Sequence, residues 1–368
     1  MTKFRTHLTV LAALTVSFGA GPSLAQDVDP ALAESWAFMQ EQMPGTPYEL
    51  LADACAEGEV MIYHGAWADA QDLQIEGFSQ RFPCITVRKQ GGGMSDIRER
   101  FLAEYHAGLQ IADLIQDSNA GILDEHAENG YLAEYVISND DQFTEPHKHS
   151  GIWYSMRRGM AGIAWNTDLV SEEDAAMLRQ WDGILDDRWT DVAAVGDISA
   201  GGVAYLPFYA WYQLYGEDFF IELGKHNIRN IAGTNNAAAA LASGDIEVLF
   251  NASETALVPL YERGAPIQWS LPAPGVGPLT GQSITSNAPH PNAARLYQEY
   301  AFTDEGYGLF QKLGGVPTRV GVTDQRSVAA EPWYSVPDEL LDYTEAEATE
   351  AVPMIVDLFN QHVGSARR

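Results

Sequence analysis

Two short runs of small residues carry the chemistry most readily read from this chain: Gly91-Gly92-Gly93-Met94-Ser95 and Ser199-Ala200-Gly201-Gly202-Val203. Each stands just before a stretch with helical periodicity. Small residues let backbone N–H groups approach a ligand, and the first turn of a helix carries partial positive charge, so such loops suit an anionic group. Ordinary glycine-rich turns share this composition. Neither run has a Walker lysine or GxGxxG spacing, so neither implies a nucleotide. Trp67 lies in an earlier loop, where an exposed indole is costly unless it covers something. It suits stacking on an apolar stem or a cation, or else it packs against its own helix. Tyr205, Tyr209, Trp211 and Tyr212 follow the second small-residue run, and helical spacing lets one or two of them face a ligand while the rest enter the core.

His147 and His149, with His64, are the histidines that suggest general-base or metal chemistry. No cysteine or paired carboxylate stands beside them at metal-ligand spacing, and a solvated loop accounts for the His-Lys-His run. There is no Gly-x-Ser-x-Gly elbow and no HExxH helix, so the sequence offers no hydrolase machinery. No metal or cofactor is expected.

The elements that must position these groups come as a repeated unit of apolar strand, small-residue loop and amphipathic helix. Glu59–Tyr63 runs through His64-Gly65-Ala66-Trp67 into a helical pattern carrying Leu73, Gly77 and Phe78. Cys84–Val87 runs through the first glycine loop into Ile97, Phe101, Leu102 and Tyr105, and Ile111–Ile115 opens a third unit. Continuous apolar runs alternating with helices predict a parallel sheet buried on both faces. Ligands of such sheets bind outside the carboxyl ends of the strands, where these loops lie.

Lys3 and Arg5, the apolar run Leu8–Phe18 and Ser23-Leu24-Ala25 have the layout of a cleaved signal peptide ending before Gln26. No cysteine follows that site, so a lipid anchor is not expected, and no later stretch is long and apolar enough to span a membrane. The 51 acidic residues outweigh 21 basic ones, and loss of Lys3 and Arg5 would deepen the net charge from -30 to -32. Such a surface argues against nucleic acid and anionic membranes as partners. Cys55 and Cys84 each precede one of two successive strands. A bridge between them suits an oxidising compartment, and two buried thiols are the alternative.

The mature length predicts two domains. Residues 26–57 read as a helical N-terminal extension, 58–155 with 281–330 as one lobe, 156–280 as a second lobe, and 331–368 as a helical C-terminal segment. Gly151–Trp165 reads as a crossover between the lobes, Leu271–Pro278 as the return, and Ala293–Phe310 as one long amphipathic helix.

A further set of short runs carries a resemblance. Gly58-Glu59-Val60, Phe78-Ser79-Gln80-Arg81-Phe82-Pro83, Ala112-Asp113, Gly162-Ile163-Ala164-Trp165-Asn166, Leu241-Ala242-Ser243-Gly244-Asp245, Ala288-Pro289-His290-Pro291-Asn292 and Gly315-Val316-Pro317 stand in a telling order. By these the chain resembles the periplasmic solute-binding proteins of ABC importers, in the branch of ferric-iron, thiamine, sugar-phosphate and aminophosphonate binders. The resemblance implies an α/β fold of two lobes, each a mostly parallel sheet flanked by helices, closing on a solute between them. It implies a periplasmic protein, most simply a monomer, that serves an inner-membrane ABC permease and is not an enzyme. Both small-residue loops would then border the cleft.

The ferric branch reads its metal with a first-loop histidine, an acid after the third strand and an adjacent tyrosine pair. Here those positions carry Trp67, Ser118 or neighbouring Asp117, and Glu254-Thr255. The resemblance therefore implies a different cargo. Gly92, Gly93, Met94, Ser95, Gly201 and Gly202 would hold an anionic group, with Trp67, Tyr205, Asp117, Ser118 and Asn235 around it. Glu254 would accept from an ammonium, unless it is a solvated surface residue. Together these favour a small zwitterion such as an aminoalkylphosphonate. A ferric-iron binder with atypical ligands, a secreted enzyme and a chemoreceptor ligand presenter are the alternatives.

Overall fold

The computed structural model describes residues 28–65, 67–198 and 202–364. The signal segment 1–25 and Gly201 lie outside these described residues. The strands are β1 (Glu59–His64), β2 (Thr86–Gly91), β3 (Leu114–Asp117), β4 (Lys148–His149), β5 (Trp153–Arg158), β6 (Ala161–Asn166), β7 (Ala193–Gly196), β8 (Arg229–Ile231), β9 (Val248–Ser253), β10 (Ile267–Ser270) and β11 (Leu279–Ile284). They form two sheets, one in the order β2-β1-β3-β11-β5-β4 and one in the order β10-β6-β9-β7-β8. Each sheet belongs to one lobe.

β1 pairs in parallel with β2 and β3, and β7 pairs in parallel with β8 and β9. β11 and β6 lie antiparallel to their neighbours. The sheets are therefore mixed rather than mostly parallel. The reason is topological, because a strand arriving from the other lobe enters its sheet from the opposite end.

Val60, Ile62, Leu114 and Ile115 are wholly buried, as a sheet covered on both faces requires. Phe78 and Phe82, from the helix Ala68–Arg81 and just beyond it, pack on Tyr300 at ring distances of 5.4 and 6.2 Å. The second lobe has its own core around Trp181, Trp211, Phe220 and Phe250.

Three segments run between the lobes side by side. β5 continues into β6 through Gly159 and Met160, β10 returns to β11 through Leu271–Pro278, and Val316 exchanges backbone bonds with Arg158 at 2.8 and 3.0 Å. Gly159 N–H donates to the Pro278 carbonyl at 3.0 Å, and a Cβ on Gly277 would stand 1.7 Å from the Gly159 oxygen. Backbones this close leave no room for a side chain, and a narrow three-strand connection is what a hinge between two rigid lobes needs.

Several sequence expectations meet a different local structure. The strand expected from Cys84 starts at Thr86 and runs on to Gly91, so the first small-residue loop shrinks to Gly92 and Gly93. The single helix expected over Ala293–Phe310 is two, Pro291–Ala301 and Asp304–Gly314. Thr303 breaks it, its hydroxyl accepting from Gly306 N–H at 3.0 Å and starting a new helix. Beyond Glu331 only Glu345–Glu350 and Val352–His362 are helical among the described residues; Pro332 and Pro337 hold the preceding stretch out of a helix.

At the N-terminus the chain forms helices Ala33–Gln42 and Tyr48–Glu57, and Glu57 accepts from Ala293 N–H at 2.7 Å, capping the helix Pro291–Ala301. Cys55, in the helix Tyr48–Glu57, is bridged to Cys84 with Cα atoms 5.2 Å apart. The bond closes a loop of sequence separation 29. In the chain-entropy account such a link is worth about 3 kcal/mol. Serine at both positions is expected to lower stability by about that amount in a urea titration, whereas a loss under about 1 kcal/mol would show that the loop is already restrained when unfolded.

Candidate functional site

A cavity of about 660 Å³ lies between the two lobes. Its walls come from the segments following the carboxyl ends of the parallel strands. After β1 stand Trp67 and the first turn of Ala68–Arg81, and after β2 stand Gly93, Met94 and Ser95 at the start of Met94–His106. After β3 stand Ser118 and Asn119, where the helix Ala120–Glu128 begins. The second lobe adds the first turn of Gly202–Tyr215, Gly233–Asn236 at the start of Thr234–Ser243, and Ser253 with Thr255 at the start of Glu254–Glu262. Helix N-termini thus converge on one space from both lobes. Their unpaired N–H groups and aligned dipoles favour negative charge there.

Arg157 reinforces that field. It is the penultimate residue of β5, at the connection between lobes, and it lines the cavity while only 4% exposed. Burial pushes its guanidinium down to about 10, with the positive charge of Arg326 acting in the same direction. The guanidinium stands 5.0 Å from the centre of the Trp67 ring, and Nε donates to the Thr280 hydroxyl at 3.2 Å. A buried cation held against a π face is poised for an anion that restores its solvation.

Of the residues singled out from sequence, the structure brings Trp67, Gly93, Met94, Ser95, Ser118, Tyr205 and Asn235 to this cavity. Gly92 stands beside Gly93 at the start of one wall, and Gly202 opens the helix whose next residues, Val203–Leu206, line the other. Trp67 is 8% exposed, with its edge turned inward to Gln116. The Tyr205 hydroxyl is buried with no hydrogen-bond partner among the described residues, and burial raises its pKa. Tyr209 and Trp211 pack into the second lobe's core.

Two expected contacts are placed elsewhere. Asp117 is fully buried, and its carboxylate takes Arg98 through Nη2 at 2.5 Å and Nε at 2.6 Å as well as Asn119 N–H at 2.8 Å. It orients Arg98, which lines the cavity, rather than facing it. Glu254 is 1% exposed and turns away from the cleft, pairing with Arg326 Nη1 at 3.1 Å and accepting from Trp269 Nε1 at 3.0 Å. Neither the solvated reading nor the ammonium reading matches that position. No pattern in the chain signals a partner arginine 72 residues downstream.

The chain's C-terminal part is the wall that sequence reasoning missed. Ala348, Thr349 and Val352 line the cavity, while Ile355 and Phe359 anchor the following helix in the second lobe's core. The helix Glu345–Glu350 also packs on Ala120–Glu128 of the first lobe. A polar, Glu-rich helix carries no sequence signal for such a position.

The histidines lie outside the cavity. His149 pairs with Asp124 at 2.8 Å on the surface, and His147 lies half-buried 3.4 Å from Arg158 Nη2. Burial and that guanidinium lower the His147 pKa from 6.5 to about 4. Between these values the unfolded chain holds the proton and the folded one does not, so His147 makes stability fall as pH drops from 6.5 towards 4. His147→Gln is expected to flatten that part of a stability–pH curve; an unchanged slope would assign it to other groups.

Two lobes, a narrow three-stranded connection and a cavity at the strand ends are the architecture of proteins that hold a small solute between two lobes. Residues 75–314 match the bacterial extracellular solute-binding proteins, and the chain belongs to that family. Proteins of this family bind small solutes outside the cytoplasm and work with ABC transporter permeases. Among the described residues no helix is long and apolar enough to cross a membrane. No curated protein matches the chain in sequence.

Solved structures share the fold. The periplasmic binding protein AfuA from Actinobacillus pleuropneumoniae, with fructose-6-phosphate bound, is 22% identical with a TM-score of 0.65, over 84% of this chain and 99% of that one. Iron-bound HitA from Pseudomonas aeruginosa is 17% identical with a TM-score of 0.67, over 82% and 99%. The ferric binding protein from Campylobacter jejuni is 13% identical with a TM-score of 0.65, over 82% and 98%.

Proposed function

We propose that this chain captures a small organic anion in the periplasm and delivers it to an ABC permease, without altering it chemically. The observation that carries the reading is the buried Arg157 guanidinium on a cavity wall where helix N-termini from both lobes converge. An anion bridging the lobes would gain contacts only in the closed state, and that differential affinity drives closure. About 660 Å³ holds an organic body as well as a charged head. Trp67 borders the space such a body would fill, and Ser95, Ser118, Thr234 and Asn235 offer hydrogen bonds.

A phosphorylated or phosphonate-bearing solute fits best, the class to which the fructose-6-phosphate of AfuA belongs. With Glu254 and Asp117 both paired inward, the amine of a zwitterion would meet Asp69, an exposed residue on the cavity wall. Iron, bound in HitA, is the competing cargo. The arginines at 98 and 157 and the converging helix N-termini oppose a trivalent cation there.

A thermal-shift screen of the mature protein tests this, with fructose 6-phosphate, 2-aminoethylphosphonate, Fe(III)-citrate, amino acids, thiamine and polyamines. A ligand at about a hundred times its Kd adds about 2.7 kcal/mol. A shift with a phosphate or phosphonate is expected. A shift with Fe(III)-citrate alone, or turnover of any added compound, would overturn the reading.

A further inference from the structure

Behind Trp67 the first lobe holds a connected run of buried glutamines. Trp67 Nε1 donates to Gln116 Oε1 at 2.7 Å. An indole N–H only donates, so Gln116 must present its oxygen and turn its NH2 inward. There Nε2 donates to Gln71 Oε1 and to Gln282 Oε1, each at 2.7 Å. Gln282 Nε2 donates to Gln298 Oε1 at 2.8 Å, and Gln71 Nε2 to the Tyr297 hydroxyl at 2.7 Å. That hydroxyl donates to Gln74 Oε1 at 3.1 Å, and Gln74 Nε2 ends on the Gly306 carbonyl at 3.1 Å.

Gln71, Gln74, Gln116 and Gln282 are fully buried. Turning the Gln116 amide over would set its NH2 against the indole N–H and its oxygen against two other oxygens. Each amide therefore fixes the orientation of the next. A buried polar network is favourable only when every member is satisfied, and then it specifies one arrangement.

The network ends at the cavity. Trp67 is clamped on another side by Gly65, where a Cβ would stand 2.3 Å from the ring, and the Arg157 guanidinium lies 5.0 Å from its centroid. We propose that Gln116 is a positioning residue for the anion site: by locking the indole of Trp67 it places Arg157 before a solute arrives. A neutral amide suits this task, because a carboxylate behind the indole would compete with the ligand for the guanidinium. The proposal rests on the reading that Arg157 meets an anion, and it adds how the site is held in shape without one.

The test uses Gln116→Met in the full mature protein, with Trp67→Phe and the double variant. The first readout needs no ligand. The near-UV circular dichroism attributable to Trp67, obtained as wild type minus Trp67→Phe, is expected to collapse in Gln116→Met. The second is the Kd for fructose 6-phosphate or 2-aminoethylphosphonate, expected to rise at least fivefold in Gln116→Met. In the Trp67→Phe background the same substitution should change Kd less than twofold, since a phenyl ring offers Gln116 no N–H to hold.

A retained Trp67 signal, or a lowered melting temperature with unchanged Kd, would make Gln116 purely structural and overturn the proposal. Additive losses in the double variant would also overturn it. If wild type binds neither probe, the anion reading fails while the spectroscopic result still decides whether Gln116 orients Trp67. Should Gln116→Met not fold, Gln282→Met removes one of its two acceptors and is read in the same two ways.

Discussion

Arg157→Met is expected to abolish tight capture of an organic anion while leaving the protein folded. Truncating one partner of a buried charge pair costs about 2–5 kcal/mol of binding, a factor of roughly 30 to several thousand in Kd. The loss is large here because the residue sits in the narrow connection between lobes, where water screens little. Burial already holds the guanidinium down to about 10, so its charge is disfavoured in the unliganded protein. The unliganded melting temperature of Arg157→Met should therefore hold or rise. Isothermal titration beside a thermal melt separates the two effects. An unchanged Kd would remove Arg157 from the site, and a collapsed melting temperature would make it a structural residue.

Glu254→Ala should do the opposite, unfolding the protein more easily and leaving affinity in place. Glu254 was the sequence's candidate for an ammonium, yet its carboxylate is taken up by Arg326 and Trp269. Arg326 is itself buried, also donating through Nη2 to Asp324 Oδ2 at 2.6 Å and to the Tyr334 hydroxyl. Removing one member of a buried ion pair typically costs about 3–5 kcal/mol, and the Asp324 contact puts this case toward the lower end. Urea unfolding measures the loss, and Kd on the folded fraction should move less than about twofold, under half a kcal/mol. A tenfold weaker Kd with normal stability would return Glu254 to the ligand.

These two residues show how far the sequence reaches. Local pattern placed the loops after the first strands, because a strand–loop–helix unit writes itself in apolar periodicity and small residues within a short stretch of chain. Trp67 and Gly93–Ser95 arrive at the cavity for that reason, and Ser118 stands where the resemblance puts the residue after the third strand. The pairing of Cys55 with Cys84 was legible too, since both stand before adjacent parallel strands. Thr303, by contrast, cut an apolar periodicity that reads unbroken through Phe310, because a cap is a single side-chain bond that a periodic pattern does not register.

Composition, spacing and local periodicity by themselves determined the α/β class and the loops that meet the cleft, while the family was legible only as a resemblance carried by short runs such as Gly162–Asn166. Tertiary structure alone decided which charged side chains line the cavity. Arg98 and Asp117 lie 19 residues apart and Glu254 and Arg326 72, and burial forces each pair to satisfy itself wherever the fold brings it together. It likewise decided that the C-terminal helices, beyond the family's matched residues, wall the cavity, and that distant glutamines converge behind Trp67. A buried charge or amide selects partners by proximity in space, and that proximity has no trace in the order of the chain.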